Sequence, residues 1–441
     1  MNHDASLREE QGGATNRRWT IFLLSCSASF LLYLHRFTFN FIGPKLKAEF
    51  ELNDTQVGAI GSLFNWTYGS LQVPSGIIAD MFGPHLFLGV SIAVWSGALA
   101  LHGAGGLKLL AFARLLFGAS QAGTYPCLNR VTHSWFPARN RTMIQGWIAT
   151  FCGRGGGFAS SVLMGTVLMG WMGLSWQQSL LWLSAVGLVF AALFLVLFRS
   201  EPEHDPRVNA SERALIRDGR SAPSSDRRVL PWRSALANRS MALFVTQQFF
   251  AAGADSIYNL FMGGYFLVVK GVDLQQAGLF VGLPLLGGAV GGMLGGACND
   301  LAIRATGSRR WGRTIIGATG NILACGLMFL AITRDSAAAA AWSLFVVKFF
   351  SDWSQPTVWG ACTDLGGRFS ASIFSIVNTA GTLGGVLLPP FFGWILDHFA
   401  TKSPDGEAIP GYMALFFCVA GMYLVSALCW AGINCSRPIE Q

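Results

Sequence analysis

Residues 19–42 read WTIFLLSCSASFLLYLHRFTFNFI, and a single charged side chain, Arg36, stands inside that run. At about 1.5 Å per helical residue the run is long enough to cross the roughly 30 Å hydrocarbon core of a bilayer. Arg36 then sits well inside it, at the eighteenth of 24 residues. A guanidinium at that depth costs several kcal/mol, on the order of 3 by insertion scales, unless a partner, cavity water or an anionic ligand meets it. Tyr33 and Asn40 share its helical face, so Arg36 is the first candidate for a ligand contact and these two are its first neighbours.

Working outward, the same kind of run recurs along the whole chain. Apolar segments of crossing length fall at 19–42, 55–79, 85–104, 107–129, 142–170 and 177–198. After a polar stretch they resume at 240–268, 275–299, 312–333, 337–361, 371–396 and 411–433. The expectation is an all-α membrane protein of twelve transmembrane helices in two six-helix bundles, 19–198 and 240–433. A tail (1–18), a linker (199–239) and a second tail (434–441) complete the chain. Composition agrees: 12% of the 441 residues are charged, 52% are hydrophobic, and 53 are glycine, a mixture that suits helices packed through small residues in lipid and disfavours a soluble enzyme. Nine cysteines lie scattered with no C-x-x-C pair, so neither a disulfide framework nor a metal site is implied, and no cofactor is expected. The first apolar run is too long for a removable signal peptide and lacks a small-residue cleavage site.

The formal charge of +8 does not point to nucleic acid, because the basic residues act as topology signals. The tails and the loops after even-numbered spans hold 21 Lys and Arg, the other loops six, so both termini and the linker are expected on the cytoplasmic side. Within the linker, Asn209–Arg217 has capping residues ahead of an amphipathic turn and reads as a short helix on the membrane surface. The halves echo one another. Gly76-Ile-Ile-Ala-Asp80 closes span two as Gly296-Ala-Cys-Asn-Asp300 closes span eight, and Gly153-Arg-Gly-Gly-Gly157 matches Gly381-Thr-Leu-Gly-Gly385. Asp80 and Asp300 are accordingly structural or gating candidates.

With Lys108 and Arg313, at the edges of their spans, counted among the loops, Arg36, Arg114, Arg154 and Lys348 oppose only Asp255 and Asp352 inside the spans, a formal excess of two positive charges that an anionic ligand would balance. Asn65 and Tyr68 share a face of span two, Asp255 and Asn259 one of span seven, and Ser375 and Asn378 one of span eleven, with Tyr258 beside them as a further site candidate. Arg114 is open between ligand contact and a bond within its bundle, and Arg154, beside its glycine run, is read as structural. Lys348 and Asp352, four apart, read as an internal ion pair. Asp255 is a proton carrier or the partner of Arg36 in the empty site. His35 titrates in the useful range but points away from Arg36, which favours packing. These three acids and bases, Asp255, His35 and Asp352, are the coupling candidates.

Several motifs carry a family resemblance. Gly76-x-x-x-Asp80-x-x-Gly83 resembles the loop motif of the major facilitator superfamily, and Arg114-x-x-x-Gly118-x-x-x-x-Gly123 loosely resembles its fourth-helix motif. Gln72-Val-Pro-Ser-Gly76, Tyr125-Pro126, Trp135-Phe-Pro137, Gly307-Ser-Arg-Arg-Trp-Gly-Arg313 and Cys362-Thr-Asp-Leu-Gly-Gly-Arg368 look like the anion:cation symporter branch, which includes bacterial sugar-acid transporters, sialin and the vesicular glutamate transporters. The resemblance implies alternating access by two bundles, carriage of organic anions and, commonly, proton coupling. It also implies an acid just before the first-helix arginine and a glutamate in the fourth helix. Here those positions are His35 and Gln121, and Met81 and His85 stand where basic residues are usual, which puts symport in doubt.

The expected function is thus secondary transport of a small organic anion, a sugar acid or similar carboxylate, whose acid meets Arg36 while Tyr33, Asn65, Tyr68, Gln121 and Asn259 meet its hydroxyls. A uniporter or exchanger of organic anions or sugar phosphates, and a non-transporting anion sensor, stay open as alternatives. A membrane-embedded enzyme would need more than His133 beside Ser134 with no oriented acid, so no catalysis is expected. The protein is expected to be monomeric in a bacterial inner membrane, with lipid, the anionic substrate and, where transport is coupled, protons as its partners, and no nucleic acid.

Overall fold

A computed structural model describes residues 13–137, 141–217, 238–366, 370–400 and 409–436. Among them the chain is helical and makes twelve crossings: α1 (Arg17–Glu49), α2 (54–82), α3 (Pro84–Leu101), α4 (107–135), α5 (141–171), α6 (Trp176–Leu197), α7 (239–269), α8 (Leu274–Thr306), α9 (Arg309–Ile332), α10 (337–366), α11 (Ser370–Ala400) and α12 (Ile409–Gly432). Seven crossings contain a helix that is long and apolar enough to span a membrane by itself. The others are composites, which hydropathy alone reads as single rods.

The interruptions are regularly placed. α1 breaks at Phe37–Thr38, α4 at Ala122–Gly123, α7 at Asp255 and again at Phe261, and α10 at Ser354. These are every third crossing, and the first break in each falls near mid-span; α2 is interrupted as well, at Leu71. α5 carries two π-helical segments, Trp147–Cys152 and Val162–Trp171, around the regular turn Gly153–Ser161. Broken helices at bilayer depth are tolerated where they face protein or a cavity rather than lipid.

Packing repeats between the halves. α1 lies on α5, α2 on α4 and α3 on α6, just as α7 lies on α11, α8 on α10 and α9 on α12. The two bundles meet through α2 with α11 and α5 with α8, two contacts that exchange under the same pseudo-two-fold. The glycine echo has a physical basis in this arrangement. Gly156 of α5 and Gly384 of α11 each press on a backbone carbonyl, of Phe30 in α1 and Phe249 in α7, so closely that a Cβ would fall 2.1 Å and 2.2 Å from that oxygen. Only glycine lets those backbones approach.

The end bearing the termini and linker is the near end. There the linker helix, Ala210–Arg217, does not lie free on a membrane surface: it buries Glu212 and Ile216 against the first bundle. Glu212 accepts the backbone N–H groups of Arg17 and Arg18 at 3.0 Å, capping α1, and also takes the Thr15 hydroxyl. Asp205 accepts from Arg17 Nε at 2.9 Å, and the same guanidinium donates to the Leu197 carbonyl at the close of α6. A carboxylate at a helix N-terminus contributes about 0.3–1 kcal/mol, and up to roughly 2 when partly buried.

At the far end the bundles are fastened together. Asp397 of α11 accepts the Asp54 and Thr55 backbone N–H groups, each at 2.8 Å, and the Thr55 hydroxyl at 2.6 Å. Nearby, the Gly58 backbone presses on the Pro389 carbonyl and Thr166 donates to the Gln275 carbonyl at 2.6 Å. Toward the near end, Asn378 of α11 donates to Gln72 of α2, at 2.8 Å. Beyond it Val73, Ile77, Met81 and Phe82 are exposed. The bonds described between the bundles thus run from the far end to mid-span, and the exposed part of α2 beyond them is read as one wall of a cleft that opens at the near end.

Candidate functional site

The break in α1 comes directly after Arg36, at the depth where α2 and α4 pass closest. Arg36 Nε and one terminal nitrogen donate to Gln121 Oε1 of α4, at 3.3 and 3.1 Å. Its Cζ lies 4.6 Å from the Phe64 ring, 4.8 Å from Tyr68 and 5.0 Å from Tyr33. Three aromatic faces and one amide oxygen surround the cation, and among the described residues it has no carboxylate. Such faces stabilise a desolvated guanidinium by about 0.5–2 kcal/mol each, less than full neutralisation would supply. Because Oε1 is engaged by Arg36, the Gln121 amide presents its N–H₂ group, which is buried and without a partner. The part-exposed guanidinium and this amide form a ready pair of donors for an acid group.

Arg114 is the second uncompensated cation. It is 4% exposed, donates to the Gly61 carbonyl at 2.6 Å, and stacks 4.5 Å from Phe39 and 5.6 Å from Phe64. Phe64 thus lies between two guanidinium groups. Arg114 Nε remains buried with no partner.

The other four intramembrane charges form one cluster. Arg154 of α5 reaches across the bundle interface, with one nitrogen 2.8 Å from Asp255 Oδ2 of α7 and Nε 2.9 Å from Asp352 Oδ2 of α10. Lys348 Nζ completes the square, 2.6 Å from an oxygen of each aspartate. Lys348 and Asp352 are the pair their spacing suggests, but not an isolated one. Asp255 is not paired with Arg36, the partner considered for it from the sequence: Arg154 and Lys348 hold it. Arg154 is structural in a specific sense, as a tie between bundles. The cluster is neutral, so the formal excess of two positive charges resides on Arg36 and Arg114.

The remaining candidates divide into walls and ties. Tyr33 and Tyr68 are part-exposed walls of the cage. Asn259 is half-buried with Oδ1 unpartnered, and Tyr258 is buried with its ring 5.4 Å from Lys348 Nζ. Asn40 donates to the Tyr258 carbonyl at 2.7 Å, Asn65 to the Gly385 carbonyl at 2.7 Å and Asn378 to Gln72. Each of these amides therefore joins the bundles in the conformation described. Ser375 is exposed toward the near end of α11. His35 is sealed, its Nε2 3.1 Å from the Leu183 carbonyl of α6, and does not face the cleft. Asp300 is exposed beside the Asn299 amide, while the side chain of Asp80 lies outside the described residues, as do Gly367 and Arg368.

Sequence reading missed Phe64, Tyr125 and Asp364. Phe64 reads as one more core aromatic. Tyr125, whose hydroxyl pairs with Ser29 at 2.9 Å, was visible only as part of a family motif. Asp364 binds Arg309 at 3.0 Å and Arg313 at 2.6 Å, joining two motifs that sequence could only place separately.

The fold, two pseudo-symmetric six-helix bundles, is shared with known proteins. The chain is 29% identical over 387 residues to a probable sulfoacetate transporter of Cupriavidus necator, covering 86% of this chain and 88% of that one. It is 27% identical to a probable galactarate/D-glucarate transporter of Bacillus subtilis, covering 93% and 92%. Among solved structures, a bacterial homolog of the human lysosomal transporter Spinster, captured inward-facing and unoccupied, superposes with a TM-score of 0.73 at 16% identity over 95% of this chain and 98% of that one, a likeness of fold. Residues 25–389 match the family profile described as Major Facilitator Superfamily, and with twelve crossings in two bundles the chain belongs to that family of transporters.

Proposed function

We propose that the protein carries a small organic anion, a sugar acid or similar carboxylate, across a bacterial inner membrane by alternating access. The termini and linker face the cytoplasm, so the conformation described opens inward. The observation that carries this reading is the state of Arg36: a part-exposed guanidinium at mid-span, backed by three aromatic rings and an amide, lacking any carboxylate among the described residues. An acid group of the substrate supplies the missing charge, using Arg36 and the free Gln121 N–H₂ as donors. The relatives' names support the class, since sulfoacetate, galactarate and glucarate are all small organic anions.

Closure around the ligand shifts the rocking equilibrium by its differential affinity for the two states, which here means that the bound anion must favour rearrangement of the Asp397, Asn65 and Asn40 ties. Coupling to protons, in this reading, runs through Asp255. It is the part-exposed carboxylate at that depth, whereas Asp352 is sealed and His35 faces away. Purified protein reconstituted in liposomes tests the assignment. Wild-type vesicles take up labelled sugar acid, and Arg36→Ala lowers the rate by at least about a hundredfold, the scale expected when a buried charge loses its partner. Undiminished uptake by the variant would refute the site.

A further inference from the structure

The Arg154–Asp255–Lys348–Asp352 cluster is balanced in charge but unequal in access. Lys348 is 0% and Asp352 2% exposed, whereas Arg154 and Asp255 reach the cleft at 14% and 19%. The accessible pair crosses between bundles, from α5 to α7, as the Arg154–Asp352 bond does from α5 to α10. Asp255 stands at the joint of two α7 segments, Arg239–Ala254 and Ser256–Leu260, where the backbone stays in the helical region and keeps its bond to the Ala251 carbonyl. The cluster adjoins the Arg36 cage through one ring. Tyr33 lies 5.0 Å from Arg36 Cζ, and the residue preceding Arg154 packs on the same ring, a Cβ at Gly153 falling 3.1 Å from Tyr33 Cε2.

We propose that Arg154, backed by Lys348, is the receptor for a second acid group of the ligand, and that Asp255 is the internal carboxylate occupying that receptor while the carrier is empty. This rests on the reading of Arg36 as the receptor for the first acid. The ligand is then a small dianion, with the Tyr33 ring standing between its two receptors. Exchange of one carboxylate for another keeps Arg154 and Lys348 compensated, and Asp352 holds both throughout, so no buried cation is left alone. The displaced Asp255 swings at its joint into the cleft. Its departure removes the bond between α5 and α7, so ligand loading loosens a tie between the bundles, the differential interaction that alternating access requires.

The test uses matched ligands that differ in one acid group: glucarate against gluconate, and sulfoacetate against acetate. Affinities are read by thermal shift and by competition for uptake into proteoliposomes. Wild-type protein is expected to bind each dianion at least about tenfold more tightly than its monoanionic counterpart. In the Arg154→Gln/Asp255→Asn double variant, which leaves Lys348 and Asp352 paired, that ratio is expected to fall below about threefold through weaker dianion binding. A wild-type ratio near one, or an undiminished ratio in the double variant, overturns the second receptor. The wild-type ratio decides alone if the double variant does not fold. Absence of binding by all four anions would instead sink the anion reading of Arg36, and this proposal with it.

Discussion

At the scale of single residues, Gln121 decides the character of the cage. A glutamate there would place a carboxylate against Arg36 and occupy the guanidinium that a substrate needs, whereas the glutamine oxygen accepts from Arg36 without neutralising it. Gln121→Glu is therefore expected to weaken anion binding several-fold at pH 8, the scale of a partly desolvated ion pair. Binding isotherms of the variant and wild type check this; equal affinity of the two would show that position 121 does not compete for Arg36. How far the site was legible follows from geometry at this scale. Arg36, Tyr33 and Tyr68 could be read because helical spacing puts related polar groups on one face. Phe64 could not, because an aromatic that backs a cation has the same sequence signature as one in the core. The Arg154–Asp255 tie joins residues 101 apart in different bundles, and only tertiary packing brings them together.

At the scale of elements, the glycines of α8 show why the helices sit where they do. Gly287, Gly291 and Gly295 face the carbonyls of Phe345, Phe349 and Trp353 in α10, each so close that a Cβ would lie within 2.2 Å of the oxygen. Gly291→Leu is expected to destabilise by about 1–3 kcal/mol or to prevent assembly, as overpacking does. Gly421→Ala in α12, where nothing lies within 4 Å of the added carbon, is expected to be neutral or slightly stabilising. Melting in detergent distinguishes the two, and equal effects would mean that the α8–α10 approach is not as tight as described. The number and order of crossings were visible in hydropathy. The breaks at Asp255, Ser354 and Gly123 were not, since an averaging window sees apolar content and not where the backbone leaves the helix.

At the scale of the molecule, the linker belongs mechanically to the first bundle. Burial opposes the charge of Asp205, yet the Arg17 side chain and the Arg207 backbone N–H, which donate to it, hold its carboxyl below the usual carboxylate range. A depressed folded-state value means that the clasp stabilises fully above the unfolded value of about 3.9 and fades as pH falls below that. Asp205→Asn is thus expected to lower the melting temperature at pH 7, with the difference from wild type shrinking toward pH 3; a constant difference across that range would show that the carboxylate charge is not what the clasp uses. The sequence marked 209–217 as a helix but gave no sign of its docking, because the donors to Glu212 are backbone N–H groups at the start of α1, nearly two hundred residues away.

The imbalance left by Arg36 and Arg114 reaches beyond the binding step. An empty carrier holds two net positive charges at mid-depth, and a carrier loaded with a dianion holds none. A membrane voltage acts on charge at about 2.3 kcal/mol per elementary charge per 100 mV when the full field is crossed. Voltage should therefore drive the unloaded return stroke and leave the loaded stroke nearly untouched, so that the cell's electrical polarity, and not only the solute gradient, sets how fast the machine resets.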